Sequence, residues 1–384
     1  MFLGYLAFTA DRTVLSAMLK TLSSSLGFIG TSSFGIAETA WLSSAQFMGV
    51  LAFVLLSGYL SDRYGHRRVI LAGVGIFTAC TWLVGTATSF EQAFVYRLVS
   101  GFGEGLFWPA AMSAVANYFG RSKGLALGIF YAGFDLGGAA GNTIGSVTFA
   151  LTADWRNAFF VAPLIGIPVL GGVFASRRTF SEAATQTGSL SLGRDALSVL
   201  RRKGVGVILG FAFLATWASV WQVAYLPYYY SVVLGASVAE AGLIAAAVLV
   251  SGMVGKVVMG RVSDSFRRDR LLVALTLVVV AFYGVFFSTA DFGVAIGSAL
   301  VLGFFSSAIF PVMQALASDS AGGRTGTVLG LTTTFQSAAA VIGVLVPGAL
   351  FSLGVGRALA LGAMVPAVMM AAAAFFLREG RKSD

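Results

Sequence analysis

The sequence is poor in charge: Asp, Glu, Lys and Arg make up only 11% of its 384 residues, against about 25% in a soluble globular chain. It is poorer still in chemistry-bearing side chains. There is one cysteine, Cys80, so no intrachain disulfide can form. There is one histidine, His66, which excludes a multi-histidine metal centre and a histidine-based catalytic triad. No nucleophile–base pair and no metal-ligand cluster stands out. An enzyme is therefore the weakest class for this chain, and no cofactor or metal is expected. A basic segment ahead of the first apolar run is also missing, so a cleavable signal peptide is not expected.

Apolar sequence is abundant instead. Hydrophobic residues reach 57%, and glycine occurs 48 times, as in chains whose membrane helices pack closely. The composition is that of an all-α membrane protein. Twelve transmembrane helices are read, at about 2–22, 38–60, 69–87, 92–118, 124–150, 157–175, 204–230, 238–260, 270–289, 292–317, 326–352 and 356–377. Nineteen of the 25 Lys and Arg residues fall in loops on one side of these spans. By the positive-inside rule that side, with both termini, faces the cytoplasm of a cell whose inner (plasma) membrane holds the chain. The net charge of +9 reports this orientation, and no nucleic-acid partner is expected.

The longest polar stretch, 176–203, divides the chain into six-helix halves, 1–175 and 204–384. The halves echo each other. "GYLSDRYGHRR" (58–68) follows the second span and "GRVSDSFRRDR" (260–270) the eighth. Internal repeats of this kind build many secondary transporters, with substrate near mid-bilayer between the repeats.

Charges inside the spans sharpen the reading. "ADRTVLSA" puts Asp11 and Arg12 about eleven residues into the first helix, roughly 16 Å deep if the membrane begins near Met1. A charge at such depth costs about 2.5–3.5 kcal/mol even on lenient insertion scales, and is functional by default. In the fourth helix, "RLVSGFGEGLFWPA" sets Arg97 and Glu104 seven residues apart, on one face. Gly101, Gly103 and Gly105 thin that helix, and Pro109 loosens it. If the first and fourth helices are neighbours, Asp11, Arg12, Arg97 and Glu104 share one cavity. Their charges sum to zero until an anion enters, and its arrival favours a proton on a nearby carboxylate.

The repeated loop and the twelve spans resemble the major facilitator superfamily over the whole chain. The charged positions of the first and fourth helices resemble its anion:cation symporters, which carry organic acids, sugar acids and organic phosphates. The resemblance implies a proton-coupled importer of a small carboxylate. Arg12 would hold the substrate carboxylate, Asp11 and Glu104 would take coupling protons, and Arg97 would keep a carboxylate ionised. Asp135 is a third proton candidate. In the loops Gly58, Asp62, Arg63, Gly65, Arg67 and Arg68, with Gly260 and Asp264, would form a gating latch between the halves. The alternative reading of these loops is a solvated basic surface. Arg97 is also a substrate-binding candidate, and Gln46, Trp108, Asn142, Trp217, Trp221, Gln222, Tyr225, Gln314 and Gln336 complete that set, the alternative for these being core packing or interhelical hydrogen bonds. Gly141 is followed by Asn142, not by the proline of the drug-antiporter signature, which weighs against drug/proton exchange. An exporter of drugs or metabolites and a transporter-like sensor remain the alternatives. The expected partners are an anionic small molecule, protons and the bilayer, with the chain acting as a monomer.

Overall fold

A computed structural model describes residues 1–26, 34–176, 200, 204–232, 234–235, 238–289, 291–349 and 355–379. These form twelve helical segments and no strand among the described residues. The helices are α1 (Phe2–Ser25), α2 (Phe34–Tyr64), α3 (His66–Val84), α4 (Phe90–Tyr118), α5 (Lys123–Thr152), α6 (Arg156–Ala175), α7 (Val205–Val232), α8 (Val238–Ser265), α9 (Arg268–Ser288), α10 (Phe292–Asp319), α11 (Thr325–Ala349) and α12 (Val355–Glu379).

Local chemistry sets several boundaries. Gly65 has φ 86, in the left-handed region that glycine enters without steric cost, and it separates α2 from α3. The Asp291 carboxylate accepts a bond from the Val294 amide at 2.8 Å and caps α10. The span read as one helix at 157–175 is interrupted: Ala162–Ile165 forms a 3-10 turn, because Pro163 has no N–H to continue the α ladder. Helices α2 and α8 run on to Tyr64 and Ser265, past the expected ends at 60 and 260. Their last turns carry Asp62 and Asp264, which a bilayer-length reading leaves in loops. The internal repeat extends to proline: Pro109 is the twentieth residue of α4, and Pro311 the twentieth of α10.

The chain forms two compact units. Unit 1 comprises Met1–Asn117, Gly133–Arg194 and Arg324–Gly330; unit 2 comprises Tyr118–Ala132, Asp195–Gly323 and Leu331–Asp384. In unit 1, glycine brings backbones together. A Cβ on Gly101 of α4 would collide with the Gln46 carbonyl of α2, and one on Gly103 would lie 2.6 Å from the Gly73 carbonyl of α3. Gly133, Gly137 and Gly141 of α5 lie in the same way on the backbone of α1, at Phe2, Leu6 and Ala10. In unit 2, α8 and α9 pack on α10, and α7 and α9 on α12.

Candidate functional site

Close approach of α1, α2, α3 and α4 gathers four charged side chains of unit 1 into one network. Asp11 is 4% exposed and accepts four bonds. Arg97 Nη1 reaches Oδ1 at 3.0 Å, and Thr81 Oγ1 donates to the same oxygen. Gln46 Nε2 reaches Oδ2 at 2.9 Å, and Ser100 Oγ at 2.8 Å. Every lone pair of an ionised carboxylate is thereby occupied, which is what a charge this far from water requires.

Gln46 sits at the centre. The same Nε2 donates to Glu104 Oε1 at 2.5 Å, and its Oε1 accepts from Arg97. Glu104, wholly buried, receives one further bond, from Arg12 Nε to Oε2 at 2.8 Å. The network holds two ion pairs, Arg97–Asp11 and Arg12–Glu104, joined by one amide.

Access is uneven. The side chains of Arg97 and Asp11 are 1% and 4% exposed, whereas that of Arg12 is 17% exposed. The Arg12 guanidinium lies 4.4 Å from the Phe8 ring centre and 4.8 Å from that of Phe47. Beyond the Nε bond, its terminal nitrogens make no hydrogen bond among the described residues. An aromatic clamp thus orients a planar fork whose two outer donors remain available.

Asp11, Arg12, Arg97 and Glu104 share the network. Gln46, read as a reader of substrate hydroxyls or as an interhelical hydrogen-bonding group, makes interhelical bonds within that network, where α2 meets α4 at Gly101. Trp108 lies near Phe8 and Tyr5, at 6.0 and 6.2 Å between ring centres, and its indole Nε1 is buried without a partner. Asp135 is half-buried on α5, and Asn142 is exposed there. In unit 2, Gln314 Nε2 donates to Gln336 Oε1 at 3.1 Å. Trp217 is half-buried with an unpartnered Nε1. The side chains of Trp221, Gln222 and Tyr225 lie outside the described residues. Sequence reasoning missed Thr81, Ser100, Phe8 and Phe47. Ser100 was findable, since it lies between Arg97 and Glu104 on their shared face.

The loop aspartates find backbone partners. Asp62 accepts from the Gly326 amide at 3.1 Å and from the Thr327 amide and hydroxyl at 2.9 and 2.7 Å, capping α11. Asp264 accepts from the amides of Gly124 and Leu125 at 2.7 and 3.1 Å, capping α5. Gly58 and Gly260 lie against the Gly326 and Gly124 carbonyls, leaving no room for a Cβ. The arginines that follow Asp62 bond elsewhere. Arg63 donates to Tyr59 Oη at 2.8 Å, Arg67 caps the end of α6 at the Val173 and Phe174 carbonyls, and Arg68 is exposed. A helix N-terminus offers a carboxylate aligned amides, with the positive end of the dipole behind them. Asp264 alone also binds an arginine, Arg268, at 3.1 Å, and Arg268 continues to Asp319 at 2.5 Å and so to Lys123.

Comparison with known proteins agrees with this architecture. The sequence model of the Major Facilitator Superfamily matches residues 1–233 and 208–384. The 3-(3-hydroxy-phenyl)propionate transporter of Escherichia coli (strain K12) is 24% identical over 398 residues, covering 98% of this chain and 95% of its own. The cephamycin export protein of Amycolatopsis lactamdurans is 33% identical over 162 residues, 42% of this chain, which spans about a third (32%) of that exporter's length. Among solved structures, the human organic anion transporter MFSD10 matches with TM-score 0.81 at 18% identity, over 98% of this chain and 97% of its own. The proton:xylose symporter XylE bound to 6-bromo-6-deoxy-D-glucose matches with TM-score 0.78 at 17% identity, over 98% and 94%. These last two likenesses are likenesses of fold. With its whole length matched by the family's sequence model and its twelve helices in the family's architecture, the chain belongs to the Major Facilitator Superfamily and is a multi-pass membrane transporter.

Proposed function

We propose that the protein is a proton-coupled symporter of a small organic carboxylate, working by alternating access in the inner (plasma) membrane with both termini in the cytoplasm. The observation that carries the reading is the single bond between Arg12 and Glu104 at the accessible edge of an otherwise sealed network. Both groups facing Glu104 are donors: Arg12 Nε and Gln46 Nε2. A proton on Glu104 turns one of its oxygens into a hydroxyl, a donor and a much poorer acceptor, so one of these two bonds is weakened. Gln46 is also tied to Asp11 and Arg97, while Arg12 has only the one hydrogen bond among the described residues and is part-exposed. Arg12 is therefore the group released.

Release leaves a planar cation, held between Phe8 and Phe47, free to grip a carboxylate with two parallel hydrogen bonds. By linkage, an anion that takes Arg12 favours the proton on Glu104 to the same degree. Asp11, with all four of its donors in place, keeps Arg97 oriented and holds the network together. In the gating set, loss of the Asp62 and Asp264 caps would free the first turns of α11 and α5.

The full-length likeness to a transporter of 3-(3-hydroxy-phenyl)propionate supports a carboxylate and supplies a first probe. The partial likeness to a cephamycin exporter favours the second reading, export by proton exchange. Purified protein in proteoliposomes separates the two. With the interior alkaline, labelled carboxylates should accumulate, and adding substrate should carry protons inward with it. Uptake indifferent to the gradient would overturn proton coupling, and proton entry accompanied by substrate efflux would establish the exporter.

A further inference from the structure

The turn that repeats after α2 and α8 has diverged in its basic residues. With Asp62 aligned on Asp264, Gly65 stands against Arg267, His66 against Arg268, Arg67 against Asp269 and Arg68 against Arg270. In unit 1 the turn is spent on packing. Gly65 takes its left-handed φ, His66 is buried with Nε2 2.6 Å from Ser113 Oγ, and Arg67 caps α6. In unit 2 the same positions line an open pocket of about 430 Å³, walled by Phe266, Arg267, Arg268 and Asp319.

The carboxylates around this pocket are all answered within unit 2. Asp269 is held by Arg267, Asp264 by Arg268 and the α5 amides, and Asp319 by Arg268 and Lys123. The arginines are not. Arg261, four residues before the end of α8, and Arg270, the third residue of α9, are exposed. Their side chains make no hydrogen bond or ion pair among the described residues. Arg267 is 52% exposed, and its Nη1 is not used by Asp269.

Both unanswered arginines end an exposed apolar face. From Arg270 the face of α9 runs through Ala274, Leu277, Ala281 and Val285; from Arg261 that of α8 runs back through Val258, Val254 and Val250. The steps of three and four residues keep each set on one side of its helix. On a membrane-spanning helix such a face is covered by acyl chains, and a cation at its end reaches headgroup level. Between the two arginines Phe266 is 67% exposed, as aromatic side chains at a membrane interface are.

We propose that the turn between α8 and α9 is a binding site for an anionic phospholipid, with the headgroup phosphate at Arg267 and Arg270, Arg261 adding to the field, and the acyl chains along the exposed faces. The inference goes beyond the transport reading and needs only that the chain spans a membrane. A zwitterionic headgroup brings an ammonium group, and each carboxylate at the turn already has its cation. An anionic headgroup brings only what the arginines lack. A free phosphate would use the arginines but leave Phe266 and the two apolar faces without a part.

The test is native mass spectrometry of the purified full chain in detergent, titrated with phosphatidylglycerol or with phosphatidylethanolamine of the same acyl chains. The wild type should bind phosphatidylglycerol about tenfold more tightly or better, since each arginine near the headgroup is worth about fivefold. Arg261→Gln combined with Arg270→Gln removes two side chains that nothing in the protein holds, so the fold should be kept and the preference lost. Arg63→Gln combined with Arg68→Gln makes the same change of charge at the matching turn of unit 1 and should leave the preference in place. An equal loss in both double variants would show general attraction to a basic surface and overturn the site. So would a wild type that does not distinguish the two lipids. Glycerol 3-phosphate in excess should not displace the lipid; displacement would show that the pocket takes a soluble phosphate, and the lipid assignment would fall.

Discussion

Arg12 and Glu104 are joined by one bond of 2.8 Å, yet the arginine side chain is 17% exposed and the glutamate 0%. The pair straddles the edge of the buried network, with its acid inside and its base at the opening. In the proposed mechanism that asymmetry divides the roles: the group that can be reached would bind the anion, and the group that cannot be reached would store the proton.

Arg12→Lys tests the first role. Lysine keeps the charge and loses both the planar fork and its stacking between Phe8 and Phe47. Carboxylate affinity should fall at least about tenfold, or 1.4 kcal/mol, while the thermal unfolding midpoint in detergent changes little. Equal affinity in both proteins would remove Arg12 from the substrate site.

Arg97 is the contrasting case. Its side chain is 1% exposed and it bonds Asp11 and Gln46. Removing one partner of a buried pair strands the other, at about 3–5 kcal/mol. Arg97→Met should therefore destabilise the fold before it affects binding. Adding Asp11→Asn should restore part of the loss, because the stranded charge is gone. Thermal unfolding of the two single variants and the double variant gives the coupling directly; strict additivity would mean that the pair is not coupled.

These contrasts show what the sequence makes legible. Seven-residue spacing put Arg97 and Glu104 on one face, and the apolar runs located all twelve helices. The meeting of the four charges followed from those positions once α1 and α4 were neighbours. Thr81 and Phe47 could not be read, because each reaches the network from another helix at an angle that only backbone packing decides. The partners of Gln46 could not be read for the same reason. The 3-10 turn in α6 had its signal in Pro163, which a hydropathy scan treats as one more apolar residue. The residues of the two compact units were not readable either. Residues 118–132 cluster with unit 2 and 324–330 with unit 1, and no change of composition marks these crossings.

The aspartate caps give a local prediction. Loss of a helix cap costs about 0.5–2 kcal/mol. Asp62→Ala removes three bonds to the start of α11 and should speed amide exchange across residues 324–330, leaving 123–128 unchanged. Asp264→Ala should do the reverse. Hydrogen–deuterium exchange read by mass spectrometry checks both in one experiment, and a uniform change in both segments would mean that the effect is global unfolding instead.

The proton role of Glu104 is tested by Glu104→Gln. An amide in that position offers one acceptor and one donor to two neighbouring donors, Gln46 Nε2 and Arg12 Nε. It can accept from only one of them, and Arg12 is the less firmly held. The variant is therefore fixed in the state that presents Arg12 to an anion. Substrate affinity should be kept or raised, and it should lose its rise toward low pH, since the linked proton is gone. Exchange of substrate for substrate across the membrane requires no net proton movement and should continue. Accumulation against a gradient requires a proton to be taken up on one side and given up on the other, and should stop. Counterflow and pH-driven uptake, measured on the same proteoliposomes, separate these steps. Wild-type uphill uptake in the variant would move the coupling proton away from Glu104, to Asp11 or Asp135. Loss of both activities in a folded protein would show that an ionised Glu104 is needed to reset Arg12 once the anion has left.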